Sequence, residues 1–243
     1  MSKSSSKTAP QDAYEARLYG YSDSSWASMS ESDKELHRLI KPAPRAQYTV
    51  NVFLSRIEGF LETLESEAQK MGGSFTLTPD FQRGHVWDKA KQVAYVENYL
   101  RGHASACFKF NSPGYNADNI KGDINPHDMV CVDGLQRITA LREFMADRLE
   151  VFGGKKASDF DETPFSARRT VFKIDIEVFA FPWRDELLDY YVVLNAGGVV
   201  HAPEEIARVK ALSEDAKAQR QLAASSSEPN ASEPDRRRRR SPR

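Results

Sequence analysis

Cysteine is scarce in this chain: there are two, Cys107 and Cys131, in 243 residues. Without a CxxC spacing they support neither a disulfide framework nor a structural zinc site, and a reducing compartment, the cytoplasm, is the expected setting. Histidine is nearly as rare. His37, His85, His103, His127 and His201 form no HxH or HExxH pattern, so no metal cage is expected. Long apolar runs are missing too: none reaches the roughly 18 residues that span a bilayer. The opening Met1-Ser2-Lys3-Ser4-Ser5-Ser6-Lys7 lacks the apolar stretch of a secretory signal, and no membrane partner is expected. Net charge is also small, at -1, but it is unevenly spread. Residues 236–243 hold six arginines and no acid, which leaves the rest of the chain at -7. An acidic body offers no broad footprint for nucleic acid. The run Arg236 to Arg240 could hold DNA or another polyanion alone, or serve as a solubilising terminus.

Residues 1–47 are rich in Ser, Lys, Asp and Pro, and are expected to form a mostly disordered arm. Within it Ser30 to Ile40 can make one short helix, since Leu36, Leu39 and Ile40 share a face. Residues 213–243, with Ser225-Ser226-Ser227-Glu228-Pro229 before the arginines, read as a disordered tail. Residues 48–212 remain as the domain. A helix is expected from about Asn51 to Met71, where Phe53, Ile57, Phe60, Leu61, Leu64 and Ala68 recur at helical spacing. Phe75-Thr76-Leu77 reads as a short strand, and Asp88 can cap a helix running to about Leu100. Met129 to Val132 is an apolar run of strand length, followed by a helix with Ile138, Leu141 and Met145 on one face. Ile174, Ile176 and Val178 alternate with charged residues, the period of a half-buried strand. Helices from about Arg184 to Leu194 and from Pro203 complete the series. Interleaved strands and helices make the class α/β or α+β, with a small sheet.

The chemistry concentrates where a strand ends and a helix begins, at Asp133-Gly134-Leu135-Gln136-Arg137. A helix N-terminus presents unpaired N–H groups and the positive end of its dipole, so it suits a phosphate. Gly134 permits close approach, and Arg137 can add a fork of donors. Gln136 could orient a water or a ribose, and Asp133 could hold Mg2+. The same residues also fit a plainer reading, with Asp133 as cap, Gly134 as turn and Arg137 in a surface ion pair. A second loop, Pro79-Asp80-Phe81-Gln82-Arg83-Gly84-His85-Val86-Trp87, repeats the Gln-Arg pair. There Phe81 and Trp87 suit anchoring into the core, which leaves Arg83 and His85 to face a ligand.

Three motifs now stand in order: Pro79-x-Phe81-Gln82-Arg83-x-x-x-Trp87, Val132-Asp133-Gly134-x-Gln136-Arg137-Ile138-Thr139-x-Leu141, and Leu194-Asn195-x-Gly197-Gly198. Together they resemble the N-terminal domain of GmrSD-type, modification-dependent restriction endonucleases, over about Val50 to Leu212. The resemblance implies a ParB/sulfiredoxin-like fold with a small mixed sheet among helices. It also implies binding and hydrolysis of a nucleoside triphosphate, linked to DNA. Asp133, Gly134, Gln136 and Arg137 match the phosphate-loop motif, Gln82 and Arg83 the second pair, and Asn195, Gly197 and Gly198 the third. Arg137, Gln136, Asp133 and Arg83 are thereby the expected catalytic group. Gly134, Gln82, His85, Asn195, Gly197 and Gly198 are the expected binding group, and a metal-binding side-chain set is not expected. Two positions depart from the family: Leu135 stands where glutamine is usual, and His85 where an aromatic is usual. The histidine-based nuclease half of many relatives is not expected after Leu212, so cleavage would need a nuclease partner, a homo-oligomer or the domain itself. A nuclease acting through the same basic loops and a non-catalytic adaptor are the alternatives.

Overall fold

The computed structural model describes residues 10–84, 86–116, 121–196 and 203–226. In chain order the elements are α1 (Pro10–Leu18), α2 (Asp23–Ala27), α3 (Glu31–Ile40), β1 (Tyr48–Phe53), α4 (Ile57–Lys70), β2 (Phe75–Thr76), α5 (Lys89–Leu100), β3 (Cys107–Asn111), β4 (Met129–Asp133), α6 (Leu135–Met145), β5 (Lys173–Phe179), α7 (Arg184–Ala196) and α8 (Pro203–Ser226). The strands form one mixed sheet in the order β1-β5-β3-β4-β2. β1 runs antiparallel to β5, β5 parallel to β3, β3 antiparallel to β4, and β4 parallel to β2. The α/β class with a small sheet is the observed one.

Strand alternation sends successive side chains to two cores. On one face Phe108, Phe110, Cys131, Ile174, Ile176 and Val178 are buried together with Leu61 of α4, Val96 of α5 and Leu141 of α6. On the other, Val132 and Phe179 pack with Leu188 of α7 and Val209 of α8. The alternating Ile174, Ile176 and Val178 therefore point inward as the period requires, each with no exposed surface.

Three differences from the sequence reading have physical causes. The helix expected from Asn51 begins only at Ile57, because Asn51–Phe53 belong to β1 and pair with Lys173–Asp175. Phe53 and Ile57 fit a helical period by coincidence, and a pairing partner more than a hundred residues away overrides it. β3, flanked by β5 and β4, is absent from the reading, although Phe108 and Phe110 are wholly buried there. Finally, helices reach past both domain limits. α1, α2 and α3 lie within 1–47 and enclose Trp26, which has no exposed surface among Tyr19, Tyr21 and His37. At the other end α8 continues to Ser226, beyond residue 212. Ser213 and Lys217 bind Asp189 of α7, and Arg220 lies over Trp183 at 4.0 Å while bonding Asp185 and Glu186. The arginine run lies outside the described residues.

Candidate functional site

The end of β4, the start of α6, the 79–87 loop, the start of α5 and the end of α7 converge on a cleft of about 590 Å³. Its floor is the β4–α6 joint. Gly134 is the N-cap of α6 with φ 109, a conformation that disfavours any side chain. A Cβ there would sit 2.4 Å from Cδ1 of Phe108, so the backbone can lie this close to the sheet only as glycine. Asp133 does not cap the helix, and no side chain does. Its carboxylate instead accepts from Nη2 of Arg137 at 2.5 Å, across one helical turn. The Arg137 guanidinium also lies 5.9 Å from the Phe108 ring centroid, half-buried against the joint.

The 79–87 loop is held from several sides. Gln82 Nε2 donates to the carbonyls of Cys131 and Val132, at 2.7 and 2.6 Å. In return Gln136 Oε1 accepts from the N–H groups of Val86 and Trp87, at 2.8 and 3.0 Å, and its Nε2 donates to the Gly84 carbonyl at 3.2 Å. Arg208 of α8 donates to the carbonyls of Asp80 and Phe81, and Arg184 of α7 holds the Asp80 carboxylate. Phe81 is buried, edge-on to Tyr191 at 5.2 Å. These bonds fix the loop backbone and aim Arg83 at the cleft. The Arg83 side chain has no hydrogen bond or ion pair among the described residues.

Most of the expected site residues thus meet in one place: Gln82, Arg83, Asp133, Gly134, Gln136, Arg137 and Asn195 all line the cleft. Asn195 Nδ2 donates to the Tyr191 carbonyl one turn earlier at 2.7 Å, which presents its amide at the cleft's α7 side. His85, Gly197 and Gly198 lie outside the described residues. Leu135, only 6% exposed, also lines the cleft.

The sequence reading missed Lys91 and Tyr191, gave Leu194 a place in the third motif but no role in the site, and took Trp87 only as an anchor. Lys91 lies one turn beyond Trp87, and its N–H is capped by Asp88 at 2.8 Å. Its exposed side chain has no partner among the described residues, so it adds a third cation to Arg83 and Arg137. A lysine in the first turn of a helix that Asp88 caps, directly after the Gln-Arg loop, was the available signal. Trp87 packs against Tyr95 at 5.5 Å while lining the cleft, so it anchors and walls at once. Burial, and then Glu205, push the Tyr191 hydroxyl up to about 12, while Arg83 and Arg208 pull the other way. Cys131 is pushed up to about 12 by burial and is held as a thiol beneath the joint. Among the described residues no group of three His, Cys, Asp or Glu could hold a metal ion. None of the described helices is long and apolar enough to cross a membrane.

A mixed-sheet α/β domain with an anion-suited cleft at a strand–glycine–helix joint is the class that fold and site define. The family described as GmrSD restriction endonuclease, N-terminal domain, matches residues 61–212, more than half of the chain, and the chain belongs to that family. No curated protein and no solved structure matches it.

Proposed function

We propose that the cleft binds a nucleoside triphosphate and hydrolyses it, within a restriction-type system that acts on DNA. The observation that carries this reading is the convergence of Arg83, Lys91 and Arg137 on the start of α6, at a glycine with no room for a side chain. Cations and oriented N–H groups stabilise phosphate oxygens, and most strongly the charge that develops as a phosphoryl group is transferred. In this reading water attacks the γ-phosphorus as the bond to the bridging oxygen breaks, giving nucleoside diphosphate and inorganic phosphate. Arg137 meets the developing charge and Arg83 and Lys91 hold the phosphate chain. Asp133 is the residue that would hold Mg2+, which would offset the negative charge of the phosphates. For that, the Asp133–Arg137 pair has to open, freeing the carboxylate for the cation and the guanidinium for the phosphate. Gln136 serves by fixing the backbone at Gly84, Val86 and Trp87, since its amide is engaged there on both atoms. His85, Gly197 and Gly198 remain candidate binding residues, and the ParB/sulfiredoxin relationship belongs to the same reading. DNA would engage the arginine tail or a nuclease partner.

The test is hydrolysis of a panel of nucleoside triphosphates, with and without DNA, by the wild type and by Arg137→Ala. Turnover that disappears in the variant supports the assignment, and full turnover in it sinks the assignment. Nicking of supercoiled DNA with Mg2+ and no nucleotide would favour a nuclease. Nucleotide binding without turnover would favour an adaptor.

A further inference from the structure

The two edges of the sheet are unlike. β2 is two residues long, whereas β1 extends for six, Tyr48–Phe53, and has β5 as its one strand partner among the described residues. Among the described residues no strand pairs with the other side of Thr49 to Phe53. Leu54 N donates to the Phe172 carbonyl at 2.9 Å, continuing the register that sets Val52 opposite Ile174 and Val50 opposite Ile176. In an antiparallel ladder bonded and non-bonded residues alternate. The even-numbered residues therefore exchange bonds with β5, and the N–H and C=O of Thr49, Asn51 and Phe53 face outward. Natural sheets blunt such an edge with lysine, proline, a bulge or a cover. Tyr48-Thr49-Val50-Asn51-Val52-Phe53 has no charge and no proline, and its register with β5 is unbroken.

We propose that β1 pairs with β1 of a second copy of this chain, antiparallel about a two-fold axis at Asn51, to make one continuous sheet. The sequence is self-complementary about that residue. Asn51 meets its own symmetry mate, Thr49 meets the second copy's Phe53, and Val50 meets its Val52. Amide faces amide, a β-branched side chain faces an aromatic one, and no like charges oppose. A slip by one residue would turn the bonded backbone groups away from each other. A slip by two, with the axis at Val50 or Val52, keeps them facing but sets Asn51 against Thr49 or Phe53 in place of its own mate. An axis at Thr49 would bring Arg45 opposite Phe53 and run the pairing off the strand. An unrelated peptide has no need of this palindromic match, which is why the occupant is a second copy. The pairing is independent of nucleotide binding in the cleft.

Sedimentation velocity of the full chain from about 1 to 100 µM, the range in which modest protein associations show, reads the self-association directly. Asn51→Lys and Thr49→Lys are the probes. In register, position 51 lies beside Asp175 and position 49 beside Glu177, so a lysine finds an acid within its own copy and the fold stands. Across the axis Asn51→Lys sets two ammonium groups against each other, and Thr49→Lys puts one beside Phe53 and Lys173 of the second copy. A concentration-dependent dimer, weakened at least about tenfold by each lysine while thermal melts hold, is the expected result. A chain that stays monomeric throughout overturns the proposal. So does a dimer that neither substitution moves, because another surface then holds it.

Discussion

The dipeptide Gln-Arg occurs twice in the cleft and is used two ways. In both copies the glutamine turns away from solvent and braces the other loop: Gln82 reaches the carbonyls that end β4, and Gln136 reaches back to the backbone of Gly84, Val86 and Trp87. The arginines differ. Arg83 is exposed and has no ion pair among the described residues, whereas Arg137 is half-buried and paired with Asp133. The glycines beside them differ as well. Nothing lies within 4 Å of a Cβ built on Gly84, while one on Gly134 strikes Phe108. One loop is a braced arm carrying a free cation. The other is a rigid joint whose cation is already engaged. Identical sequence fragments acquire different duties because burial and neighbours, not residue type, decide which atoms remain available to a ligand.

The sharpest way to break this contrast is alanine at each glycine. Gly134→Ala combines an unfavourable φ with a clash at packed aromatic carbon, and should cost about 3 to 5 kcal/mol. Gly84→Ala should stay within about 0.5 kcal/mol, as surface substitutions do. Urea melts of the two variants decide it, and equal costs would mean that the β4–α6 joint is no tighter than the loop. On the activity side, Arg137→Ala should lower nucleotide turnover by about a hundredfold or more, as expected for a group that meets developing charge. Arg83→Ala should raise the nucleotide Kd with a smaller effect on turnover at saturation. Identical profiles for the two would erase the difference between free and engaged arginine.

Bracing comes next in size. Gln136→Ala removes the partner of the Val86 and Trp87 N–H groups and of the Gly84 carbonyl, all within reach of water, a loss of about 0.5 to 1.5 kcal/mol. Hydrogen exchange at Val86 and Trp87 should rise by at least about tenfold if the local opening energy falls by about 1.4 kcal/mol. Unchanged protection there would show that Arg208 and Phe81 hold the loop without help. Lys91→Gln is milder: a several-fold loss of triphosphate affinity is expected, with a shallower salt dependence measured by titration from low to moderate ionic strength.

Elements with a strong local period were legible in the sequence. β5 announced itself through Ile174, Ile176 and Val178, and α5 through Asp88, which does accept from Lys91 N. The floor of the cleft was readable because strand, glycine and helix are contiguous at 129–137. β1 and β3 were not, since each is defined by partners far along the chain: Asn51 stands opposite Asp175, and Cys107 opposite the same residue on the other side. The duties of Gln82 and Gln136 were hidden for the same reason, their partners lying 49 to 52 residues away. A motif shows which polar groups are present. Only the fold shows which of them are already used.

The smallest effect concerns Tyr191, which joins the free arginine to the buried side of the cleft. Its hydroxyl rises from 10.0 to about 12, through burial first and Glu205 next, against the pull of Arg83 and Arg208. Between these values the unfolded chain has lost the proton that the folded chain keeps. The stabilising contribution of the neutral phenol is therefore fully present below pH 10 and is lost as pH rises through about 12. One group can contribute a slope of at most about 1.4 kcal/mol per pH unit. Tyr95, Tyr99, Tyr190 and Tyr14 are also raised by burial and add slopes of the same sign. Urea midpoints from pH 8 to about 11.5 should fall more gently in Tyr191→Phe than in wild type. Arg83→Ala should steepen the wild-type fall, because it removes a cation that favours the phenolate in the folded chain. If Arg83→Ala leaves the alkaline slope unchanged, Arg83 points away from Tyr191 in solution, and its place in the cleft has to be redrawn.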